Sequence, residues 1–317
     1  MQECVIDFFG FVGLLSVSFV DLLRLALIAM VPITLTSIGE VFTEKSGIVN
    51  IGLEGILLMS AFIALWAGEV SSSPWIGLLA GLGTGALIGL LHGIISITLK
   101  GDQVISGIGI NLFALGFVAF GIMAVWHTAG YHQAPAAARI PALHTPLGEI
   151  SPLIPATLLI AVLTWYLLNK TVLGLRVKAV GENPEATDVA GISVERTRFF
   201  ATIYGASLAG LAGAYLSIDW LSTITKELSA GRGFIALANV VFSGLNPLLA
   251  LLGGFLFGIF DTLALWLDTV HELKPCLPFG FHNFVKMLPY LATLIVVAVA
   301  IGHARFPKHS GQPYRRE

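Results

Sequence analysis

The chain has 317 residues, of which 56% are hydrophobic and 11% are charged, and its mean hydropathy is +0.87. This composition is typical of polytopic helical membrane proteins and argues against a water-soluble domain with a single core. The formal net charge of −2 gives no reason to expect nucleic acid as a partner. We therefore predict an all-α membrane protein.

The two cysteines and the N-terminus exclude further classes. Cys4 and Cys276 are far apart and lack metal-ligand spacing, so neither a disulfide framework nor a zinc site is indicated. The N-terminus carries Glu3 and Asp7 and has no basic residue before Arg24. It lacks the positive region of a cleavable signal peptide, and we expect it to remain attached.

Eight apolar runs are long enough, at about 20 residues, to cross a bilayer. They lie near residues 22–39, 48–68, 75–98, 103–126, 152–169, 198–218, 247–268 and 284–302. The shorter run Phe234 to Gly244 is a candidate half-helix, and Val5 to Val20 is either a further crossing or an interfacial helix. The expected number of transmembrane segments is eight to ten.

Basic residues predict the orientation of these spans. They flank the polar loop at 170–197 and follow the last span, at Lys170, Arg176, Lys178, Arg196, Arg198, Arg305, Lys308, Arg315 and Arg316. The loop and the tail at 303–317 should therefore be cytoplasmic, and residues 127–151 should lie outside. One transmembrane domain results, with an N-terminal helix at 1–21, a first half at 22–169 and a second half at 198–302.

Glycine recurs at every fourth position of one predicted span, at Gly77, Gly81, Gly85, Gly89 and Gly93. Such a face lets another helix approach its backbone closely. The segment Gly77 to Gly93 also resembles Leu248 to Leu263, which should cross in the opposite direction. An interrupted segment precedes each of them, at Gly47 to Gly55 and Ala230 to Gly244. The pattern indicates an inverted repeat around a midplane solute site, and chance similarity between Gly/Leu-rich helices is the alternative.

Few ionisable residues lie inside the predicted spans. Glu54 is either a pathway residue or a surface-proximal acid at a helix start, and His92 and Asp261 are interpreted as structural residues near the interfaces. Uncharged polar residues are better pathway candidates, namely Asn50, Ser106, Asn111, Asn239 and Ser243. They could hydrogen-bond a neutral solute, and the alternative is that they join helices.

The external histidines do not indicate a metal site. His127, His132, His144, His271 and His282 show no ligand spacing on a predicted helix, so they are interpreted as solvated loop residues. The sequence also has no GxxxxGK[ST] loop and no hydrolase motif. We predict no cofactor and no catalytic site in this chain, so energy for transport would come from elsewhere.

The polar stretch Leu173 to Arg198 contains a predicted short helix. Asn183 suits an N-cap, Pro184 suits the first helical position, Glu185 and Asp188 favour the positive end of the helix dipole, and Gly191 suits the end. A helix of about two turns cannot span a bilayer and must lie at its surface. There Ala186, Val189 and Ala190 could enter a partner's groove.

Four blocks in the same order resemble the permeases of bacterial ABC importers for ribose, branched-chain amino acids and nucleosides, closest to the nucleoside and simple-sugar branch. The blocks are GIVNIGLEGILLMSA, QVISGIGINLFALG, VGENPEATDVAGIS and AGRGFIALANVVFSGLNPLLALLGG. The resemblance implies that Gly181, Glu182, Asn183, Pro184, Ala190 and Gly191 form the segment that rests on the ATPase. It also implies that Asn50 and Glu54 belong to a first broken helix beside the pathway, with Asn239 in its counterpart.

The resemblance further implies a multi-pass protein of the bacterial plasma (inner) membrane with three kinds of partner. These are a cytoplasmic ABC ATPase, an extracytoplasmic solute-binding protein and a second permease subunit, either a homologous chain or a second copy. We expect a transport subunit, not an enzyme, that conducts a neutral polar solute such as a nucleoside. Riboflavin and simple sugars are alternative solutes, and an ion-coupled secondary transporter or an intramembrane enzyme is a more distant alternative.

Overall fold

A computed structural model of the protein describes residues 19–128, 130–145, 148–269 and 306–315, together with isolated positions between 287 and 298. Its helices are α1 Phe19–Lys45, α2 Leu53–Ser71, α3 Pro74–Gly93, α4 Gln103–Trp126, α5 Leu153–Lys170, α6 Val172–Glu182, α7 Pro184–Val189, α8 Val194–Tyr215, α9 Arg232–Phe242 and α10 Pro247–Thr269. The strands are β1 Tyr131–Gln133, β2 Leu143–Thr145, β3 Gly148–Ile150 and β4 Thr223–Thr225.

Six of the described helices are long and apolar enough to cross a membrane, namely α1 to α5 and α8. The helices α9 and α10 have shorter apolar stretches, at Arg232–Phe242 and Pro247–Leu263. The predicted helix at 5–20 and almost all of the predicted span at 284–302 lie outside the described residues, as do Cys4 and Cys276. Large apolar side chains on α4, such as Ile105 and Phe120, are more than 70% exposed, as expected of a helix that faces lipid.

Helix α1 is the most buried of the six candidate spans and runs antiparallel to α8. Gly39 of α1 meets Gly205 of α8 backbone to backbone, and Tyr215 Oη donates a hydrogen bond to Ile28 O at 3.0 Å. The residue numbers rise in opposite directions along the contact. The helix also extends to Lys45, six residues beyond its predicted end, and carries Glu40 into the interior.

The glycine face of α3 contacts α8, which it crosses antiparallel. A Cβ added at Gly81 would lie 2.6 Å from Ala214 Cβ, and one at Gly85 would lie 2.7 Å from Gly210 Cα. Further along, Gly89 approaches Thr202 O. The nearest neighbour of Gly77 is on α2 instead, and that of Gly93 is the ring of Phe199. Both helices continue into a π turn, at Ile94–Thr98 after α3 and at Leu216–Trp220 after α8.

Helix α10 packs on α1, again antiparallel. Gly254 of α10 meets Thr34 of α1, and a Cβ added at Gly258 would lie 2.9 Å from Met30 N. Since α1 and α8 are antiparallel, and α3 is antiparallel to α8, helices α3 and α10 run in opposite directions.

The all-α prediction misses two short antiparallel ladders. Tyr131 to Gln133 of β1 pair with Thr225 to Thr223 of β4, and β2 pairs with β3 through Leu143 and Ile150. Aromatic and β-branched residues favour these strands. The first ladder ties the predicted external loop at 127–151 to the chain that follows α8.

The polar loop at 170–197 contains two helices where the sequence analysis expects one. Thr171 caps α6 by accepting a hydrogen bond from Gly174 N at 3.2 Å, and Val177 and Val180 bury one face of the helix. Asn183 then separates α6 from α7. Leu173 adds a partly buried contact to this face, and so short an apolar pattern cannot be distinguished from loop in the sequence.

Candidate translocation and coupling sites

The chain leaves helical geometry at 46–52, between α1 and α2, where side chains from neighbouring helices hold its backbone. Val49 N–H donates to Gln103 Oε1 of α4 at 2.7 Å. Asn50 N–H donates to Glu40 Oε1 of α1 at 2.7 Å. Non-helical backbone in a membrane protein must be satisfied by protein groups of this kind. We call residues 46–52 the first unwound segment.

Ser106, a predicted pathway residue, joins α4 to α3 beside this segment. Its Oγ lies 2.9 Å from His92 Nδ1, and His92 Nε2 lies 3.2 Å from Val49 O. Both ring nitrogens of His92 therefore have protein partners, and the ring is fully buried. The geometry agrees with the interpretation of His92 as a structural residue.

Asn111 and Asn50, two further predicted pathway residues, brace the end of the first unwound segment. Asn111 Oδ1 accepts from Gly55 N at 2.7 Å, and Asn111 Nδ2 donates to Ile51 O at 3.0 Å. Asn50 Oδ1 accepts from Gly52 N at 2.9 Å. Asn50 Nδ2 is buried without a partner among the described residues. Asn111 therefore bridges the break between unwound chain and α2, and the Nδ2 of Asn50 keeps both of its N–H groups for another partner.

Glu54, in the first turn of α2, binds the N-terminus of the short helix α9. Its Oε1 accepts from Gly231 N and its Oε2 from Gly233 N, both at 2.7 Å. A carboxylate is favoured at this position because unpaired N–H groups and the helix dipole make a helix N-terminus positive. The contact connects the first unwound segment to the second one, residues 221–231, which leads from α8 to α9.

Two further charged side chains at this junction, on α9 and α10, form an ion pair. Arg232 Nη2 lies 2.9 Å from Asp261 Oδ2 of α10, and the guanidinium stacks 4.6 Å above the ring of Trp220. Asp261, interpreted from sequence as structural, is thus one half of an ion pair. Arg232 was missed because it stands just outside the predicted half-helix.

Asn239 and Ser243 lie elsewhere on α9 and are not brought to the Glu54 junction. Asn239 Nδ2 donates to Ala250 O at 2.8 Å and to Ser37 Oγ at 3.0 Å, so it joins α9 to α10 and α1. Ser243 Oγ bonds back to Val240 O at 2.9 Å. Both side chains are buried. Of the six predicted pathway residues, four surround the unwound segments, Asn239 joins helices, and Ser243 bonds within its own last turn.

Three polar residues near the ends of predicted spans are buried, a role that was not recognised from the sequence. Glu40 stands one residue beyond the predicted end of its span, yet α1 continues past it and buries it. Gln103 and Arg198 are buried at the starts of α4 and α8. A polar residue next to an unwound segment was the available signal, since the exposed backbone needs partners.

The short helix α7 begins at Pro184, and Asn183 Oδ1 accepts a hydrogen bond from Ala186 N at 2.9 Å. Gly191 follows with φ of +81°, a left-handed conformation that favours glycine. The side chains of Ala186, Val189 and Ala190 point outward, and Val189 is 90% exposed. The helix therefore presents three small apolar side chains on its exposed side, a surface available to another protein.

The predicted external loop is pinned to the helix bundle. Glu69 Oε2 at the end of α2 accepts from Trp126 Nε1 at 2.6 Å and lies 3.1 Å from His132 Nε2. His132 stacks on Trp126 with 4.3 Å between ring centroids. The described residues contain no group of three or more His, Cys, Asp or Glu side chains that could hold a metal ion.

Comparison with known proteins identifies the family. Residues 22–302 match the model of the branched-chain amino acid transport system / permease component. The nucleoside ABC transporter permease protein NupC of Lactococcus lactis is 36% identical, with 91% of this chain and 94% of the relative aligned. The guanosine ABC transporter permease protein NupQ of Bacillus subtilis is 34% identical over the same shares. The putative glucose ABC transporter permease protein TsgC13 of Haloferax volcanii is 33% identical over 88% and 91%.

No solved structure matches the chain. The matches confirm the predicted resemblance, the plasma (inner) membrane location and the role of transport subunit, not enzyme. The six long apolar helices agree with them. The chain belongs to the permease family of the branched-chain amino acid transport systems and is a permease subunit of an ABC importer.

Proposed function

We propose that the chain forms part of the translocation pathway for nucleosides. The observation that carries the proposal is the similarity to NupC and NupQ over nine-tenths of the chain. The junction of the two unwound segments supports it, because Glu54 is bound by backbone N–H groups and Arg232 is paired with Asp261. Both charged side chains are therefore engaged within the protein and are not free to bind a charged solute.

In this proposal the unwound segments carry the pathway, and the predicted pathway residues shape it. Asn50, Ser106 and Asn111 position the first segment, and Glu54 positions the second through the N-terminus of α9. The exposed ring of Phe234, next to this junction, offers an apolar face for a nucleobase or sugar. Asn239 acts indirectly, by holding α9 against α1 and α10, and Ser243 stabilises the end of α9.

The chain geometry supports the inverted repeat. Helix α1, the first unwound segment, α2 and α3 correspond in order to α8, the second unwound segment, α9 and α10. In each half the final helix packs on the first helix of the other half, α3 on α8 and α10 on α1. The contact of Gly39 with Gly205 joins the two first helices where a pseudo-twofold axis would pass. Broken helices at such an axis are a common solute site in transporters.

We assign α7 to the coupling of transport with ATP hydrolysis. Its exposed apolar side chains, its capped ends and its position in a loop rich in basic residues support that role. An importer of this class works with an ATPase and a solute-binding protein. A second permease subunit, a homologous chain or a second copy, would complete the pathway. The basic residues favour a cytoplasmic α7 loop and tail, and in that arrangement α9 counts as a crossing, so that four segments separate the two, within the eight to ten crossings expected.

Uptake measurements test the solute. Cells without other nucleoside uptake would express the complete transporter and receive labelled guanosine, uridine, riboflavin, glucose or uridine monophosphate. We expect guanosine or uridine to accumulate and the monophosphate to be excluded. The relation to TsgC13 makes glucose the second candidate, and glucose uptake without nucleoside uptake would replace the proposal with a sugar importer. Accumulation of the monophosphate would refute the neutral pathway.

A further inference from the structure

The C-terminal segment Phe306 to Arg315 bridges two parts of the chain that are far apart in sequence. His309 N–H donates to Gly181 O, at the end of α6, at 3.1 Å. Two residues later, Gly311 N–H donates to Gly47 O, in the first unwound segment, at 3.0 Å. His309 Nδ1 also lies 2.9 Å from Glu182 O, one residue before the N-cap of α7.

Arg198 of α8 bonds to both the first unwound segment and the C-terminal segment. Its side chain is 1% exposed. Nε donates to Ser46 O at 3.2 Å, and Nη1 donates to Gln312 O at 3.1 Å. The carbonyl of Ser46 follows the C-terminus of α1, where the helix dipole favours a positive charge. The rigid fork of a guanidinium suits two carbonyls held apart in this way better than a lysine ammonium does.

The end of α6 at Gly181 and the start of the first unwound segment are in close contact. A Cβ at Gly181 would overlap Lys45 O, and one at Gly47 would lie 2.9 Å from Arg198 Nη2. Within the described residues, Gly181 makes no hydrogen bond of its own to residues 45–47. The C-terminal segment supplies the hydrogen bonds to both sides. We call residues 306–315, with Arg198, Gly47 and Gly181, the tail clamp.

We propose that the tail clamp transmits the movement of α7 to the first unwound segment, with Arg198 as a positioning residue. The proposal rests on the coupling role proposed for α7. Gly181 stands two residues before Asn183, the N-cap of α7. Gly47 begins the unwound segment that leads to Glu54, which holds the N-terminus of α9. A displacement of α7 therefore reaches the junction of the unwound segments through a continuous set of hydrogen bonds.

Direct van der Waals contact alone would resist only compression, because Gly181 and residues 45–47 touch without bonding to each other. Hydrogen bonds from one short segment to both partners also resist separation. The tail clamp thus lets the ATPase pull as well as push on the pathway. An importer that alternates between two states needs both directions of movement.

The test uses the complete transporter, with ATPase and solute-binding protein, in proteoliposomes. A chain that ends at residue 305 should copurify with the ATPase and keep basal ATP hydrolysis, because α7 is unchanged. Stimulation of hydrolysis by the loaded solute-binding protein should fall about tenfold, in the range of typical coupling energies. Lys308→Ala is the matched control in the same segment, since this side chain is exposed and forms no hydrogen bond or ion pair with the described residues. It should keep full stimulation.

Two point variants decide the question if the shortened chain fails to assemble. Gly311→Pro removes the N–H that bonds Gly47 O and cannot adopt the φ of +75° found there. Arg198→Lys keeps the charge and loses the fork. Both should lower the ratio of stimulated to basal hydrolysis in each assembled complex, whereas a purely structural role would lower only the amount of complex.

Full stimulation in the shortened chain or in Gly311→Pro would overturn the tail clamp. Loss of ATPase copurification in Gly311→Pro and Arg198→Lys would also overturn it, by making the segment part of the docking surface. Ala190→Glu separates this proposal from the coupling assignment, since it changes the exposed face of α7 and leaves the clamp untouched. Normal stimulation in Ala190→Glu would refute the coupling role of α7 itself.

Discussion

Adding one methyl group should have opposite effects on the stability of the protein at two glycines of α3, Gly85 and Gly83. A Cβ at Gly85 would overlap Ala206 O and would lie 2.7 Å from Gly210 Cα and 2.9 Å from Gly210 N, whereas a Cβ at Gly83 would meet nothing within 4 Å. Backbone atoms of α8 cannot rotate away, so Gly85→Ala must push α3 and α8 apart. Overpacking of this kind costs about 3 kcal/mol at the upper end of its range.

Alanine also restores helix propensity, which stabilises by about 0.5–1 kcal/mol at either position. The net expectation is a loss of about 2 kcal/mol for Gly85→Ala and a small gain for Gly83→Ala. For a chain of this size, about 2 °C per kcal/mol gives a fall of roughly 4 °C in the first variant and a rise of about 1–2 °C in the second. The assay heats the detergent-solubilised chain and measures the fraction that stays monodisperse. Equal midpoints for the two variants would refute the close crossing of α3 and α8.

Three other predictions concern the site and the topology. Glu54→Gln keeps the size of the side chain and loses one of two charge-assisted hydrogen bonds to α9, so solute uptake per transporter should fall about tenfold. Unchanged uptake would remove Glu54 from the pathway. Asn239→Leu removes the side-chain N–H that bonds Ala250 O. The midpoint of heat inactivation should fall by an amount that corresponds to about 1–3 kcal/mol, and the ATPase should still copurify. The third variant pair starts from a chain without its native cysteines and adds one Cys at the exposed position Val189 or Ala137. In intact cells, a membrane-impermeant reagent should label the Cys at 137 and not the Cys at 189, and the reverse pattern would invert the orientation.

The sequence predicts local features well where the signal lies within a few residues. The cap at Asn183, the break before Glu54 and the glycine face of α3 each depend on residues within one or two turns, and the structure contains all three. The burial of Glu40 could not be predicted in this way. Its acceptor role exists because unwound chain ten residues later returns alongside α1.

Long-range pairings account for the other differences. The partner of Glu54 lies 177 residues away at Gly231, and that of Asn239 lies 202 residues away at Ser37. No periodic pattern carries such pairings. Residue type and apolar context therefore indicate which polar side chains are buried among the helices, but they cannot separate those beside the unwound segments from those, such as Asn239, that hold helices together.

The ladder between β1 and β4 has a consequence for the biosynthesis of the protein. Tyr131 pairs with Thr225, which is 94 residues later in the chain (225 − 131). At translation rates of about 5–20 residues per second, roughly 5–19 s separate the synthesis of the two strands. During that interval α5 and α8 must enter the bilayer while the edge of β1 stays open to water or to a chaperone. Closure of this ladder thus cannot precede the synthesis of α8, and a protease that cuts only open chain near Tyr131 would time this step of assembly.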